Sequence, residues 1–228
     1  MAPSISMIQL IGPGGAGKST VGAALATRLA SPFCDLDRAF ERRRAGIDTF
    51  IGAHGYDAYA RENVAVYLEV APHLLDAVLA LSSGFMVYAP ALHPAYATVR
   101  KTITRSPATV VLLPSLDCET CVAETVRRQL GRPFGRRDAA REEAVIRERF
   151  EQYMELPAIK VETMHPAPDV AAVIHARLAA KDLVRFQRRL NRLIADFRKS
   201  ETPDGDMQAF AFALFRATSI VPARSRDA

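Results

Sequence analysis

Eight consecutive residues, Gly12-Pro13-Gly14-Gly15-Ala16-Gly17-Lys18-Ser19, fit the pattern GxxxxGK[ST]. Glycines let the backbone fold into a nest whose N–H groups point inward at phosphate oxygens. A helix starting near Gly17 adds its positive dipole end. Lys18 is suited to bridge the β- and γ-phosphates of a nucleoside triphosphate, and the Ser19 hydroxyl to ligate Mg²⁺. Gly12, Gly14, Gly15, Ala16, Gly17, Lys18, Ser19 and Thr20 are therefore the expected phosphate-binding residues. Further along, Asp35 and Asp37 alternate about Leu36, so on a strand both carboxylates leave one face. One can hold the Mg²⁺ shell, and the other can orient and deprotonate an acceptor hydroxyl. The loop alone does not separate a kinase from a switch, a motor or a nucleotide-dependent regulator.

The elements that must position these groups are readable from periodicity. ISMIQLI at 5–11 reads as a buried strand, and STVGAALATRLA after the loop as a helix that Pro32 ends. FCDLD at 33–37 reads as a second strand, expected beside the first, with the two acids at its carboxyl end. Residues 38–80 read mostly as helices broken at Gly46, Gly52, Gly55 and Pro72. FMVYA at 85–89, TVVLLP at 109–114 and IKVET at 159–163 complete five strands. Helices are expected at 117–130, 138–156 and 169–179. Strands alternating with helices imply an α/β fold, a parallel sheet covered on both faces.

Composition narrows the field. The 228 residues are 49% hydrophobic and 24% charged, which fits one domain with a modest extension and excludes a disordered chain, collagen or a disulfide scaffold. No apolar run reaches the roughly 18 residues of a membrane span, and no secretory signal is evident. The net charge is +5, and 25 of the 30 basic residues are Arg, whose planar fork suits phosphate and carboxylate. Three cysteines, Cys34, Cys118 and Cys121, imply a reducing, cytoplasmic setting. Cys118 and Cys121 form a lone CxxC without the further ligands a zinc site requires, so they read as helix residues one turn apart.

In order along the chain, GKSTVGAALATRL, FCDLDRAFE, IDTFIGAHG, Arg132-Pro133-Phe134 and the spacing of Arg149, Tyr153 and Glu155 resemble the shikimate kinase family over residues 5 to about 180. The resemblance implies a five-stranded parallel P-loop kinase that uses ATP and Mg²⁺ to phosphorylate a hydroxyl of a small cyclic carboxylate. It assigns Ser19 and Asp35 to Mg²⁺ and Asp37 to the acceptor hydroxyl. It makes Arg132 a lid arginine, within a lid at about 128–140, that reaches the transferred phosphate. Arg149 is matched to a substrate anion, and Arg128 or Arg127 to the adenine.

The acceptor side departs from the family. Its G-E-x-x-F-R-x-x-E pattern reads here from Gly55 to Asn63, with Ala60 in place of the substrate arginine and Asn63 in place of the supporting acid. Arg61, the one substitute at hand, points about 100° away on an ideal helix. The family's GGG turn after its third strand is matched here to Ala89-Pro90-Ala91. The expectation is a kinase for a small polar acceptor other than shikimate, one that can carry an anionic group for Arg149. A gluconate- or nucleoside-type kinase is the close rival. A nucleotide-binding regulator whose basic tail binds a partner is the rival of another class. Arg42, Arg43 and Arg44 read as a solvated face, and His54 and His93 as surface or packing histidines. Residues 181–199 form a basic amphipathic helix beyond the resemblance, and 207–217 a second apolar segment. The tail is expected first to pack on the domain and second to join a homodimer. Nucleic acid comes third, since no stacking motif accompanies the charge.

Overall fold

Ile8–Ile11 forms β1, buried at every position, and the sheet is built outward from it. The computed structural model describes residues 7–44, 46–131 and 139–199. After the glycine-rich turn comes α1, Lys18–Leu29, which buries Val21, Gly22, Leu25 and Ala26 at helical spacing. It ends with Ala30 in the left-handed region, two residues before Pro32. β2 is Phe33–Asp35, and α2, Leu36–Arg43, follows it without a loop. Next come α3, Ile47–His54, and α4, Tyr56–Val70, joined at Gly55. β3 is Val78–Ala80, α5 Tyr96–Arg105, β4 Thr109–Leu113, α6 Cys118–Leu130, α7 Ala139–Glu155, β5 Ile159–Glu162 and α8 Ala167–Lys199. The five strands are parallel, in the order β2-β3-β1-β4-β5. Every residue of β1, β3 and β4 is buried, as befits a sheet covered on both faces.

Three expectations are corrected. The third strand lies at Val78–Ala80 and not at 85–89, where Phe85–Val87 is a short 3₁₀ turn. LLDAVLAL is rich in helix formers and so reads as helix. Its Ala77–Leu81 stretch is nonetheless buried and stops at Ser82-Ser83-Gly84, while the apolar Phe85 and Met86 reach the core from the turn. Second, β2 pairs with β3 and stands at the sheet edge, because β3 inserts between it and β1. Third, the helices expected at 169–179 and 181–199 are one element, α8, since no glycine or proline interrupts LAAKDLV. Ile5–Ala176 is one compact unit and holds the whole sheet, with the division from the second unit at Arg177. The apolar segment at 207–217 lies outside the described residues. No described helix is long and apolar enough to cross a membrane.

Candidate active site

The loop after β1 stands where the chain reverses direction across the sheet, at the carboxyl ends of the strands. Gly12 has φ +147°, and a Cβ there would collide with the Leu112 carbonyl oxygen at the end of β4. Gly17, at φ 86°, turns the chain into α1. Lys18 is buried, its Nζ donating to the carbonyls of Gly12 at 2.7 Å and Pro13 at 2.8 Å. Those bonds hold the ammonium against the loop that must wrap the phosphates. Ser19 and Thr20 are exposed on the first turn of α1.

The two acids meet the site by a different geometry from strand alternation. β2 stops at Asp35, which caps α2, its Oδ1 accepting from the N–H groups of Asp37 at 3.0 Å and Arg38 at 3.3 Å. Asp37 therefore sits in the first turn of the helix and not on the strand. Among the described residues Asp35 Oδ2 takes no hydrogen bond, and it and the Ser19 hydroxyl are hard oxygen donors of the kind that could hold Mg²⁺. Burial holds the Asp37 carboxyl above the usual carboxylate range; hydrogen bonding from Ser82, the Lys18 charge and Tyr59 oppose that rise, while Asp35 adds to it. The Tyr59 hydroxyl donates to Asp37 Oδ1 at 3.4 Å. Burial and the charge of Asp37 raise the Tyr59 phenol, so it stays a donor.

Relocating β3 moves the turn that follows it. That turn is Ser82-Ser83-Gly84, and Ala89-Pro90-Ala91 is an exposed stretch beyond the 3₁₀ turn, so the latter is not the turn after the third strand. Two serines and a glycine thus follow the third strand. The substituted pair on α4 is equally concrete. Ala60 is buried, and Asn63, fully buried, donates from Nδ2 to Ser82 Oγ at 3.0 Å and accepts from the Tyr88 hydroxyl at 3.3 Å. Tyrosines pin the turn. Tyr153 donates to the Ser83 carbonyl at 2.9 Å and Tyr96 to the Phe85 carbonyl at 2.7 Å. Arg149, one helical turn before Tyr153, brings its Nη2 to 3.7 Å from the point where a Cβ of Gly84 would lie. The Tyr56 hydroxyl reaches the same point.

On the nucleotide side a cavity of about 290 Å³ is lined by Gly15, Gly17, Thr20, Val21, Arg128, Thr163, His165 and Ala167. Arg128 spans it, donating to the Thr163 carbonyl at 2.9 Å, Thr163 Oγ1 at 3.2 Å, the Gly15 carbonyl at 3.3 Å and Glu124 Oε1 at 2.6 Å. Arg127 is exposed and pairs with Glu124 alone, so of the two it is Arg128 that faces the cavity. Arg61 is exposed and donates to the Leu92 carbonyl at 3.2 Å, outside the group around Asp37. Arg132, Pro133 and Phe134 lie outside the described residues. Arg43 and Arg44 pair with Glu62 and Glu69 on the surface. The His54 ring packs on Phe50, and His93 accepts from the Ala95 N–H. Cys118 and Cys121 open α6 a turn apart.

Sequence reasoning missed Tyr59, Ser82, Thr163, His165 and Gln129. Gln129 lies against the loop, its amide nitrogen 2.9 Å from where a Cβ of Gly14 would stand. Thr163 and His165 follow the last strand, where the rule that ligands gather at carboxyl ends could have found them. Ser82 was hidden by the displaced third strand.

The shikimate kinase family model matches residues 14–179. A shikimate kinase of Thermobifida fusca is 32% identical over 174 residues, covering 74% of this chain and 91% of that protein. The structure of shikimate kinase from Acinetobacter baumannii in complex with shikimate superposes with a TM-score of 0.62 at 25% identity, over 78% of this chain and 95% of that one. A gluconokinase from Sinorhizobium meliloti shares the fold at 17% identity and a TM-score of 0.50, over 80% of this chain and 97% of the other.

Proposed function

The chain belongs to the shikimate kinase family and is a P-loop small-molecule kinase, and from that premise we propose that it moves the γ-phosphate of ATP to a hydroxyl of a small polar metabolite other than shikimate. One observation carries the reading: Asp37, partly buried and desolvated, lies within reach of the Lys18 charge, while the arginine and acid of the family pattern are replaced by Ala60 and Asn63. Asp37 is a base held next to the phosphate site, and the acceptor side is rebuilt.

Each residue then has a role that phosphoryl transfer requires. The loop N–H groups and Lys18 neutralise and align the phosphates. Ser19 and Asp35 would hold Mg²⁺, which, when bound, screens the charge on the phosphate oxygens. Asp37 orients the acceptor hydroxyl and takes its proton as the oxygen bonds to the γ-phosphorus. The bond to the β–γ bridging oxygen breaks, and ADP leaves with that electron pair. Arg149 faces the acceptor side, Arg128 the base cavity, and Arg132 answers the charge of the transferred group. The three thiols, none of them in a disulfide, suit the cytoplasm.

The test is Mg²⁺-dependent ADP release with shikimate, quinate, gluconate, sugars, cyclitols and nucleosides, and Lys18→Ala as the blank. The expected result is one non-shikimate acceptor that raises release well above the acceptor-free rate. Shikimate turnover of order 10 s⁻¹, typical of a biosynthetic enzyme, would overturn the changed acceptor.

A further inference from the structure

We propose that the acceptor is an uncharged polyhydroxylated ring, a cyclitol or a sugar, read by the hydroxyl network around Asp37 and stacked on Tyr56; this rests on the kinase reading above and names its substrate class. The wall beside Asp37 is made of Tyr59, Ser82, Asn63 and Tyr88, all buried and all neutral. No buried side-chain nitrogen or oxygen among the described residues lacks a hydrogen-bond partner. The hydroxyls and the amide of this wall bond to one another and to Asp37, and none of the four side chains is a cation that would pair with a second carboxylate. A carboxylate only accepts, and beside Asp37 it would meet a like charge. Alcohols both donate and accept. A hydroxyl of the acceptor can donate to Asp37 while the rotors of Tyr59 and Ser82 turn to serve its neighbours.

The mouth of the site favours the same class. With Ala60 in the arginine position, the pattern's arginine is missing from α4, and Arg149 and the Tyr56 hydroxyl share the space above Gly84. One guanidinium beside a phenol can donate to alcohol oxygens without a charge pair. Tyr56 is 44% exposed, and its ring centroid lies 5.8 Å from that of Tyr59 and 6.2 Å from that of Tyr88. Tyr56 thus offers an exposed aromatic ring with a polar tip, and the π face of such a ring suits the C–H face of a saturated one. Transfer yields ADP and a ring phosphomonoester, with the hydroxyl proton passing through Asp37 to solvent.

The experiment measures ADP release by the full chain with ATP and Mg²⁺ against matched rings: inositols and hexoses on one side, quinate, shikimate and uronates on the other. The best neutral ring is expected to exceed the best carboxylated ring by at least about 100-fold in kcat/KM, the low end of what pocket complementarity discriminates. A carboxylated ring that wins overturns the neutral acceptor and leaves the kinase standing. No ring of either kind above the Lys18→Ala blank overturns both. Tyr56→Ala is expected to raise KM for the neutral ring by about 10-fold with kcat changed by less than about 3-fold, the signature of lost uniform binding. Tyr56→Phe should keep most of the affinity, and an unchanged KM in Tyr56→Ala removes the stacking role.

Discussion

Tyr153 donates its hydroxyl to the carbonyl of Ser83, and this bond ties α7 to the turn after β3. Arg149 lies on the same face of α7, four residues earlier, so the bond that anchors the helix also sets where the guanidinium meets Gly84. Tyr153 is fully buried, which makes the Ser83 carbonyl costly to leave unpaired. Tyr153→Phe should cost about 1–3 kcal/mol in denaturant unfolding. It should also raise KM for the acceptor more than it lowers kcat, since Arg149 is displaced and not removed. Equal KM values in variant and parent would show that Arg149 is held by other contacts.

Asp37 carries opposite consequences for activity and stability. Its folded-state pKa is raised by burial, so the folded protein binds that proton more tightly than the unfolded chain does. Stability from this group therefore falls as pH rises from the ordinary carboxylate pKa through the raised one, and the penalty is complete above it. Asp37→Asn should lower turnover by about 10²–10⁴-fold, the usual worth of a general base. At neutral pH its Tm should be equal to or above that of the parent, and the difference should shrink at pH 4. The parent's kcat/KM should fall on acidification above the ordinary carboxylate range, and the Asn variant should lack that limb. A Tm lower at pH 7 than at pH 4, relative to the parent, would reverse the sign argued here.

The nucleotide half was legible because it is local. A glycine loop, a lysine and a helix start lie within nine residues, Gly12 to Thr20, and each has its own sequence signal. Asp35 and Asp37 were paired by strand alternation, whereas it is helix capping that brings them together. The surroundings of the turn after β3 are non-local: Asn63, Ser82, Tyr88 and Tyr153 come from separate elements and meet only through the sheet order. A three-residue strand such as β3, drawn from LLDAVLAL, carries too short a period to outweigh helix propensity. Misplacing it hid the serines of the turn and put Ala89-Pro90-Ala91 in their place.

Arg128 joins the phosphate loop to the segment after β5 through the Gly15 carbonyl and Thr163. Both ends line the cavity beside the glycine-rich loop, so the guanidinium sets its width as well as its charge. Arg128→Ala should raise KM for ATP by about 10-fold, roughly the loss of one charged hydrogen bond. KM for the acceptor should change by less than about 3-fold, because none of these contacts reaches Asp37. Arg127→Ala, which removes an exposed pair with Glu124, should leave both constants near the parent. Equal effects of the two substitutions on ATP would remove Arg128 from the base cavity.

Gly12 and Gly84 separate a backbone constraint from a side-chain one. Gly12 combines φ +147° with a clash against the Leu112 carbonyl, and neither the strand nor the loop can yield. Gly12→Ala should cost about 2–4 kcal/mol or prevent folding, the range for strain at a special backbone position. Gly84 has an ordinary φ of −95°, and an added Cβ would meet the Tyr56 hydroxyl and, at 2.9 Å, Tyr88 Cε1. Tyr56 is exposed enough to swing away, so Gly84→Ala should cost about 1–2 kcal/mol, the lower range for overpacking. It should also raise KM for the acceptor, since it moves Tyr56 and crowds Arg149, while KM for ATP stays within about 2-fold. Urea unfolding and two-substrate kinetics on the same preparations check both halves. A Gly84→Ala protein with an unchanged acceptor KM would place the acceptor away from this turn.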